Sequence, residues 1–267
     1  MNKNMVVLVT GASSGLGRAA AELLASCGYT VYGTSRDPDS SSPDSFIMLR
    51  LDVANDDSVA ECVAEVINTE GRIDALICNA GYALSGAVEE TSVGEAKAQM
   101  ETNFFGVVRM VSALLPHMRY QQSGRIIIIS SVAGMIGLPY HAYYSASKYA
   151  LEGYAEALSR EVYDKGIKVS LIEPGFFHTK ISDSSKLANM EIPQYTKSKT
   201  LAVEIFRRSV KSGRDPEVLA TLLKKVVEAK KPKLRYIYAG WTRWFVIFRL
   251  LIPEKLFEAV LRRYAGI

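Results

Sequence analysis

The sequence is poor in the residues that bind metals or form disulfide frameworks. Its 267 residues include only three cysteines and three histidines, and these are scattered along the chain. Cys27, Cys62 and Cys78 are odd in number and match no metal-binding spacing, which argues against both kinds of site and favours a reducing compartment. We therefore expect no metal ion and a cytoplasmic location.

Long apolar runs and an excess of one charge are also absent. No uninterrupted apolar stretch reaches the length of a membrane-spanning helix, and the first apolar run, residues 5–10, is too short for the core of a signal peptide. The net charge is +4 and the basic residues form no dense block, so nucleic-acid binding is not expected. A composition of 48% hydrophobic and 22% charged residues is typical of a globular protein with a sizeable core.

Short apolar runs alternate with longer segments of helical periodicity. Most runs are rich in valine and isoleucine and apolar on both faces, as buried parallel strands are. The alternation predicts a single doubly wound α/β domain, residues 1–240. The predicted strands are residues 5–10, 29–35, 46–51, 73–78, 125–130, 167–172 and 233–240, and the predicted helices are residues 15–27, 56–69, 92–120 and 142–165, with a further helix that begins at Asp215 and Pro216.

A glycine-rich turn, TGASSGLG at residues 10–17, joins the first predicted strand to the first predicted helix. Gly11, Gly15 and Gly17 let the backbone approach a pyrophosphate at the helix N-terminus. Their spacing, G-x-x-x-G-x-G, differs from the G-x-G-x-x-G fingerprint of dinucleotide-binding proteins. Nucleotide binding is the main interpretation, and a tight turn that allows close helix–sheet packing is the alternative.

The segment AYYSASKYA, residues 142–150, contains a candidate proton donor. Tyr144 and Lys148 are four residues apart and therefore share one face of the predicted helix. Because a nearby ammonium lowers the pKa of a tyrosine, Tyr144 is the candidate for proton exchange near neutral pH. Tyr143 and Tyr149 have no cation at that spacing. An exposed Tyr–Lys pair on an amphipathic helix is the alternative.

Polar residues also follow the third, fourth and fifth predicted strands. Singly, each of them is a turn or cap residue. Ligands of open α/β sheets bind beyond the carboxyl ends of the strands, so we expect these residues to converge on one site. They are Asp52, the triplet Asn79, Ala80 and Gly81, and the pair Ser130 and Ser131.

Together these segments resemble the short-chain dehydrogenase/reductase family, in its short-subunit branch. The resemblance covers about residues 5–180 and implies a Rossmann-type fold with a mainly parallel, seven-stranded sheet. The tip of the second strand and the extended C-terminus are more similar to the steroid- and retinoid-type NADP-dependent reductases. The matching residues are TGASSGLG at 10–17, Asp52, NAG at 79–81, Asn103, Ser131, YSASK at 144–148, and PG with Thr179 at 174–179.

The resemblance implies a hydride-transfer mechanism. Tyr144 would be the general acid in reduction and the base in the reverse direction, and Lys148 would lower its pKa and hold the nicotinamide ribose. Ser131 would bind the substrate oxygen, and Asn103 would hold a water that links Lys148 to solvent. The implied cofactor-binding residues are Gly11, Ser13, Ser14, Gly15, Leu16, Gly17, Arg36, Asp52, Val53, Asn79, Ala80, Gly81, Tyr144, Lys148, Pro174, Gly175 and Thr179.

The tip of the second predicted strand, GTSRDP, indicates which cofactor to expect. An acidic residue at this place binds the adenosine ribose of NAD, whereas an arginine binds the 2′-phosphate of NADP. Ser35 is neutral and Arg36 is cationic, so NADP(H) is favoured over NAD(H). Alternatively, Arg36 and Asp37 form a solvated turn pair.

The residues beside the expected site predict a hydrophobic substrate, with core packing as the alternative explanation. Residues 178–200 are polar and weakly periodic, which predicts a mobile segment, and residues 178–213 lie where the family has its substrate lid. The leading function is an NADP(H)-dependent carbonyl reductase or alcohol dehydrogenase for a hydrophobic ketone, aldehyde or secondary alcohol. The alternatives are a 3-oxoacyl thioester reductase and a non-catalytic NADP-binding sensor or scaffold. The flanking residues are Met135, Ile136, Leu138, Pro139, Tyr140, Phe176 and Phe177.

Residues 241–267 predict a C-terminal amphipathic helical extension, because large apolar side chains recur there at helical spacing. Three interpretations are open: the stripe packs on the domain or roofs the site, forms a subunit interface, or makes peripheral contact with a membrane. The resemblance implies a homodimer or homotetramer through residues 92–120 and 142–165. The stripe comprises Trp241, Trp244, Phe245, Phe248, Leu251, Ile252, Leu256, Phe257, Val260, Leu261 and Tyr264.

Overall fold

Nine strands and eight α-helices are found in the residues that the computed structural model describes, which are 5–38, 45–179, 185–242, 244, 246, 249 and 251–265. The strands are β1 (Val6–Val9), β2 (Thr30–Ser35), β3 (Ile47–Arg50), β4 (Ala75–Cys78), β5 (Leu84–Ser85), β6 (Gly124–Ile129), β7 (Ile167–Pro174), β8 (Lys186–Leu187) and β9 (Arg235–Tyr238). The helices are α1 (Gly15–Ser26), α2 (Asp56–Glu70), α3 (Val93–Met100), α4 (Gly106–Tyr120), α5 (Ala142–Glu161), α6 (Pro193–Lys211), α7 (Pro216–Glu228) and α8 (Glu254–Ala265).

All seven predicted strands lie in one sheet with the order β3-β2-β1-β4-β6-β7-β9. Every neighbouring pair in this sheet is parallel. The strand order changes direction between β1 and β4, and this is the place where open α/β sheets bind their ligands. The predicted doubly wound fold is therefore confirmed.

The apolar strands fill both layers of the core. Successive side chains of a strand point to opposite faces, so Ile126 and Ile128 pack with α2, α4 and α5, while Ile127 and Ile129 pack with α1 and α7. All four side chains are at most 6% exposed. The central strands are thus held in place from both sides, and so are the residues at their carboxyl ends.

Local capping explains where several helices begin. The side chain of Asn55 accepts a hydrogen bond from the N–H of Ser58 at the start of α2. Ser92 and Glu95 form a reciprocal capping box at the start of α3. Asp215 caps α7, and Pro216 occupies its first turn as the sequence predicts.

Residues 178–200, predicted to be a mobile and weakly periodic segment, contain regular structure that the prediction misses. Residues 193–211 form the 19-residue helix α6, and β8 pairs with β5 in a small parallel sheet. Tertiary contacts hold α6, since Lys199 lies 2.9 Å from the fully buried carboxylate of Glu90. Tyr140 also hydrogen-bonds Ser198. Residues 180–184 lie outside the described residues.

The tail packs on the domain through part of its apolar stripe. Val246, Phe257 and Leu261 are buried against Val132 and Ile136, which follow the fifth long strand of the sheet. Trp244, Leu251, Leu256 and Val260 are exposed. The side chains of Trp241, Phe245, Phe248 and Tyr264 lie outside the described residues. Among the helices described, none combines the length and the apolarity needed to cross a membrane.

Candidate active site

The glycine-rich turn lies at the carboxyl end of β1. Gly11 and Gly15 have φ angles of 68° and 59°, in the left-handed region that glycine adopts most easily. A Cβ atom on Gly17 would lie 2.3 Å from the carbonyl oxygen of Gly11, so a larger residue would displace the turn. Ser13, Ser14 and Leu16 complete the turn, with Ser14 as the N-cap of α1. The unpaired first N–H groups of a helix at such a turn are a common binding site for phosphate.

Asn79 holds the glycine turn from the neighbouring strand. Its Nδ2 donates hydrogen bonds to the carbonyl oxygens of Thr10 and Gly11, at 3.0 and 2.9 Å. The Oγ1 of Thr10 accepts hydrogen bonds from the backbone N–H groups of Asn79 and Ala80, both at 3.0 Å. Thr10 is absent from the predicted site residues, although it begins the TGASSGLG segment. Its contribution depends on β4 lying beside β1.

The predicted cofactor-binding residues after β2 and β3 reach the same edge of the sheet. Arg36 is exposed. Burial raises the pKa of Tyr82, in the loop after β4, and the positive charge of Arg36 partly offsets this rise. Arg36 therefore lies near that loop. One carboxylate oxygen of Asp52 accepts a hydrogen bond from the N–H of Ala54 at 3.0 Å. The side chain of Val53 is buried against Gly106, so only its backbone is left to contact a ligand.

Tyr144 lies in the first turn of α5, is 6% exposed, and lies close enough to the side chain of Ser131 for that hydroxyl to lower its pKa. Ser131 follows β6, and its Oγ accepts a hydrogen bond from the N–H of Ala133 at 3.1 Å. Burial raises the pKa of Tyr144, and the side chain of Ser131 opposes this more weakly. The expectation of a lowered pKa is therefore wrong, because desolvation outweighs the other contributions. A raised pKa keeps the proton on the phenol, as a general acid requires.

Lys148 lies one turn after Tyr144 and is also buried. Its Nζ is 5.9 Å from the centroid of the Tyr144 ring and donates a hydrogen bond of 2.8 Å to the carbonyl oxygen of Ile129. Burial lowers the pKa of Lys148 to about 8, and the negative charge of Glu152 opposes this shift. The predicted pair on one helix face is present, and it is buried, unlike the exposed pair of the alternative interpretation.

Asn103 lies in a π-helical turn, Glu101–Phe105, between α3 and α4. Its amide is fully buried, donates to the carbonyl oxygen of Tyr82 and to Oγ of Ser147, and accepts from the N–H of Tyr82. These three bonds are 3.0–3.1 Å long. Such turns occur often at functional sites. Asn103 thus joins the loop that includes Gly81 to α5, whereas Lys148 is not among its hydrogen-bond partners in the described residues.

The segment after β7 returns to the glycine turn. Pro174 ends β7, and a Cβ atom on Gly175 would lie 2.7 Å from Oγ1 of Thr242. A Cβ atom on Gly15, in the glycine turn, would lie 3.3 Å from the Cβ atom of Thr179. The predicted residues of this segment therefore lie on the same side of the sheet as the glycine turn.

An apolar recess lies beside Tyr144, between the loop after Ser131, α6 and α8. Leu138 and Phe206 pack against Tyr144 as well as lining the recess. Among the predicted flanking residues, Ile136 and Phe177 instead belong to the buried core, so core packing explains those two. The residues that line the recess are Leu138, Pro139, His141, Phe176, Ala202, Ile205, Phe206 and Leu261.

Comparison with known protein families shows to which family this chain belongs. The family model described as short chain dehydrogenase matches residues 5–189, which is most of the sequence. The protein therefore belongs to the short-chain dehydrogenase/reductase family and is an oxidoreductase that acts on CH–OH or C=O groups.

Two relatives extend this comparison. The 3-ketodihydrosphingosine reductase of Bacteroides thetaiotaomicron is 43% identical over 265 residues, which cover 98% of this chain and 98% of the relative. Estradiol 17-beta-dehydrogenase 1 of Rattus norvegicus is 36% identical over 251 residues, covering 86% of this chain and 72% of the relative. The prediction of steroid-type relatives is thus confirmed.

A solved structure agrees with the fold. The short chain dehydrogenase/reductase of Burkholderia phymatum, in complex with NAD, superimposes with a TM-score of 0.82 at 26% identity, over 93% of each chain. The family to which this chain belongs is therefore one whose fold binds a nicotinamide cofactor.

Two further groups near the site are absent from the predicted residues. Ser147 joins Asn103 to α5, and Glu152 lies next to Lys148 with Glu173 close by. Glu152 follows Lys148 by four residues, the same spacing that pointed from Tyr144 to Lys148, and this signal was available in the sequence. Glu173 has no such local signal, since its position depends on the packing of β7 against α5.

Proposed function

We propose that the protein is an NADP(H)-dependent reductase of a hydrophobic ketone, and that the ketone is a long-chain 3-keto amino alcohol like 3-ketodihydrosphingosine. The observation that carries this proposal is the buried pair of Tyr144 and Ser131, which lies between Lys148 and an apolar recess. The 43% identity to a 3-ketodihydrosphingosine reductase over nearly the whole of both chains supports the substrate class.

The residues at the carboxyl edge fit a nicotinamide dinucleotide. The turn at Gly11, Gly15 and Gly17 has no room for side chains and is a suitable place for a diphosphate. Lys148 would hold the nicotinamide ribose, and the segment from Pro174 to Thr179 would border the nicotinamide. When bound, this cofactor supplies the hydride, and the protein supplies orientation and the proton.

The side chains of the chain account for the proton and for substrate orientation. Tyr144 is protonated at neutral pH, since burial raises its pKa from an ordinary value of 10.0, so its hydroxyl can donate a proton to the carbonyl oxygen of the substrate. Ser131 hydrogen-bonds the same oxygen and stabilises the negative charge that develops on it. Lys148 in its cationic form stabilises the phenolate that Tyr144 leaves behind.

The preference for NADP(H) is part of the proposal and depends on Arg36. This cation is exposed at the end of β2, where the family binds the adenosine ribose. NADPH is therefore expected to bind more tightly than NADH, and Arg36→Ala should reduce the difference. Equal dissociation constants of the wild-type protein for the two cofactors would contradict this preference.

The test of the proposed function is NADPH consumption by the purified protein with a panel of ketones. The panel includes a 3-keto sphingoid base, steroids and acetoacetyl thioesters, and Tyr144→Phe is the paired variant. We expect turnover of the long-chain ketone and a loss of about 10²-fold or more in the variant, because general acid catalysis contributes that much. Tyr143→Phe, one residue away, is the matched control and should stay active.

Other results with this panel of ketones would favour one of the alternative functions. Turnover of the thioester alone would favour the 3-oxoacyl reductase. Binding of NADPH without turnover of any substrate would favour the non-catalytic sensor or scaffold. Full activity of Tyr144→Phe would contradict the assignment of the proton donor.

We further propose that the protein is a homodimer or homotetramer that contacts membranes peripherally through its tail. Support for the membrane contact comes from four exposed apolar side chains of the tail, Trp244, Leu251, Leu256 and Val260. Flotation with anionic liposomes should recover the full-length protein and should fail after removal of residues 241–267. Absence of flotation by the full-length protein would rule out the membrane contact.

A further inference from the structure

A group of buried charged side chains lies next to Lys148, at the junction of four elements. Glu152 follows Lys148 by one turn of α5 and is 8% exposed. Its Oε1 accepts a hydrogen bond of 2.5 Å from the hydroxyl of Ser130, the residue between β6 and Ser131. Glu173 precedes Pro174 in β7 and is fully buried. The start of β9 contributes Arg235, whose side chain is partly exposed.

In this group, the guanidinium of Arg235 lies close to three carboxylates. Arg235 donates hydrogen bonds to Glu152 and Glu156, at 3.2 and 2.6 Å. Its Nε also lies 3.2 Å from Oε1 of Glu173, without the alignment of a hydrogen bond. Neither carboxyl oxygen of Glu173 accepts a hydrogen bond from the described residues. The side chain of Glu156 is 37% exposed and is solvated, whereas those of Glu152 and Glu173 are not.

Two buried carboxyl groups beside one shared cation cannot both ionise without a large cost, so one of them is expected to hold a proton. Burial, and to a smaller degree the charge of Glu152, raises the pKa of Glu173 to about 8 against the opposing effect of Arg235. The pair therefore carries one proton and one negative charge at neutral pH. That charge acts on Lys148, whose pKa Glu152 raises while burial lowers it.

We propose that Glu152 and Glu173 are positioning residues for the reaction: they share one proton beside Arg235, and their single negative charge keeps buried Lys148 cationic. The proposal rests on the proposed function, because it assigns the pair to the role of Lys148. The charged and titratable groups around the pair are Lys148 and Glu156 on α5 and Arg235 on β9, and Ser130 contributes the hydroxyl from β6.

The first arm of the test is the pH profile of kcat/KM for ketone reduction. Glu152→Gln keeps the shape of the side chain and removes its charge, so the alkaline limb should move down by about one pH unit. Glu152→Asp, which keeps the charge, should restore most of the shift. Glu156→Gln is the matched control, because Glu156 contacts the same arginine from the same helix but is solvated. The alkaline limb of the pH profile of this variant should coincide with that of the wild type.

The second arm does not depend on activity. Carboxyl carbon NMR of protein labelled in its glutamate side chains should show one resonance that titrates at a much higher pH than the others. The Glu173→Gln variant should lack this resonance. A wild-type spectrum in which every glutamate titrates in the ordinary range would overturn the proposal. An unchanged alkaline limb in a folded Glu152→Gln variant would overturn it as well.

The outcomes separate this proposal from the proposed function. If the wild type reduces the ketone and the alkaline limbs of the kcat/KM profiles are the same for the wild type and all variants, the positioning role is wrong and the reductase activity is upheld. If the wild type reduces no ketone of the panel, the proposed function fails, and the NMR titration still decides whether the pair shares a proton. Circular dichroism of each variant shows whether it has folded.

Discussion

The glycine turn and the buried carboxyl pair are two polar regions of one domain, and they are built in opposite ways. In the turn, Thr10 and Asn79 exchange four hydrogen bonds of 2.9–3.0 Å with neighbouring backbone. In the carboxyl pair, Glu152 and Glu173 share Arg235, and neither carboxyl oxygen of Glu173 accepts a hydrogen bond from the described residues. The turn is thus defined by shape and by neutral hydrogen bonds, whereas the pair is defined by charge.

This difference predicts how each region responds to change. A turn held by neutral hydrogen bonds does not titrate, so its substitutions should act equally at every pH. A buried acidic pair titrates within the range in which proteins are handled, so its substitutions should have effects that depend on pH. The following predictions test that distinction, from the largest expected effect to the smallest.

Gly17→Ala should have the largest effect, because it breaks the turn by sterics. The added Cβ would lie 2.3 Å from the carbonyl oxygen of Gly11 and 2.5 Å from Nδ2 of Asn79. We expect a loss of roughly 2–4 kcal/mol of stability and a large drop in NADPH affinity, both constant with pH. Urea denaturation and a fluorescence titration measure the two quantities.

Gly153→Ala is the matched control, since a Cβ atom at that position of α5 meets nothing within 4 Å. It should raise stability by up to about 1 kcal/mol through helix propensity. Tight NADPH binding by Gly17→Ala would show that the turn adapts, and would remove the contrast with the carboxyl pair.

Glu173→Gln should change the dependence of stability on pH. The folded state holds the proton of Glu173 up to a pKa of about 8, while the unfolded chain loses it near the ordinary value of 4.5. Stability of the wild type therefore falls as pH rises through this window and levels off above it. The variant lacks this slope, so it should gain on the order of 2 kcal/mol relative to the wild type across the window.

Urea denaturation at several pH values measures this gain. Glu156→Gln, with its solvated side chain, should leave the slope of the wild type unchanged. Parallel stability curves for Glu173→Gln and the wild type would mean that Glu173 is ionised in the folded protein, and the contrast between the two regions would disappear.

Asn79→Ala should have the smallest effect of the three. It removes two hydrogen bonds that the amide donates to the turn, each worth about 1 kcal/mol at most in net stability. NADPH affinity should fall several-fold, because the turn loses its support without a steric clash. Calorimetric titration near neutral pH and at alkaline pH should give the same loss, and a loss confined to one pH would contradict the neutral character of the turn.

Part of the site could be predicted from the sequence because its signals are local. TGASSGLG, the Tyr144–Lys148 spacing and the polar residues after the strands all lie within short segments whose secondary structure follows from apolar periodicity. Helix α6 is missing from the prediction, because its first half is polar and its position depends on Glu90 and Tyr140, more than fifty residues earlier in the chain. Residues 193–211, which overlap the segment that the sequence predicts to be mobile, thus form a helix held by distant contacts.

The direction of the pKa shift of Tyr144 shows the same limit. Residue spacing indicates that a lysine is near, and on that ground alone a lowered pKa is expected. The structure places both side chains in the core, where desolvation raises the pKa of Tyr144 and lowers that of Lys148. Burial is a property of the packed elements, so no local spacing contains it.

The sequence by itself determined the doubly wound sheet, the family and the residues at the strand ends, because the alternation of buried strands and amphipathic helices is encoded at short range. Only the tertiary structure decided which of these residues are buried, how Asn79 and Thr10 support the turn, and that Glu152, Glu173 and Arg235 meet beside Lys148. The physical reason is that desolvation and charge pairing depend on the distances between elements that are far apart in the chain.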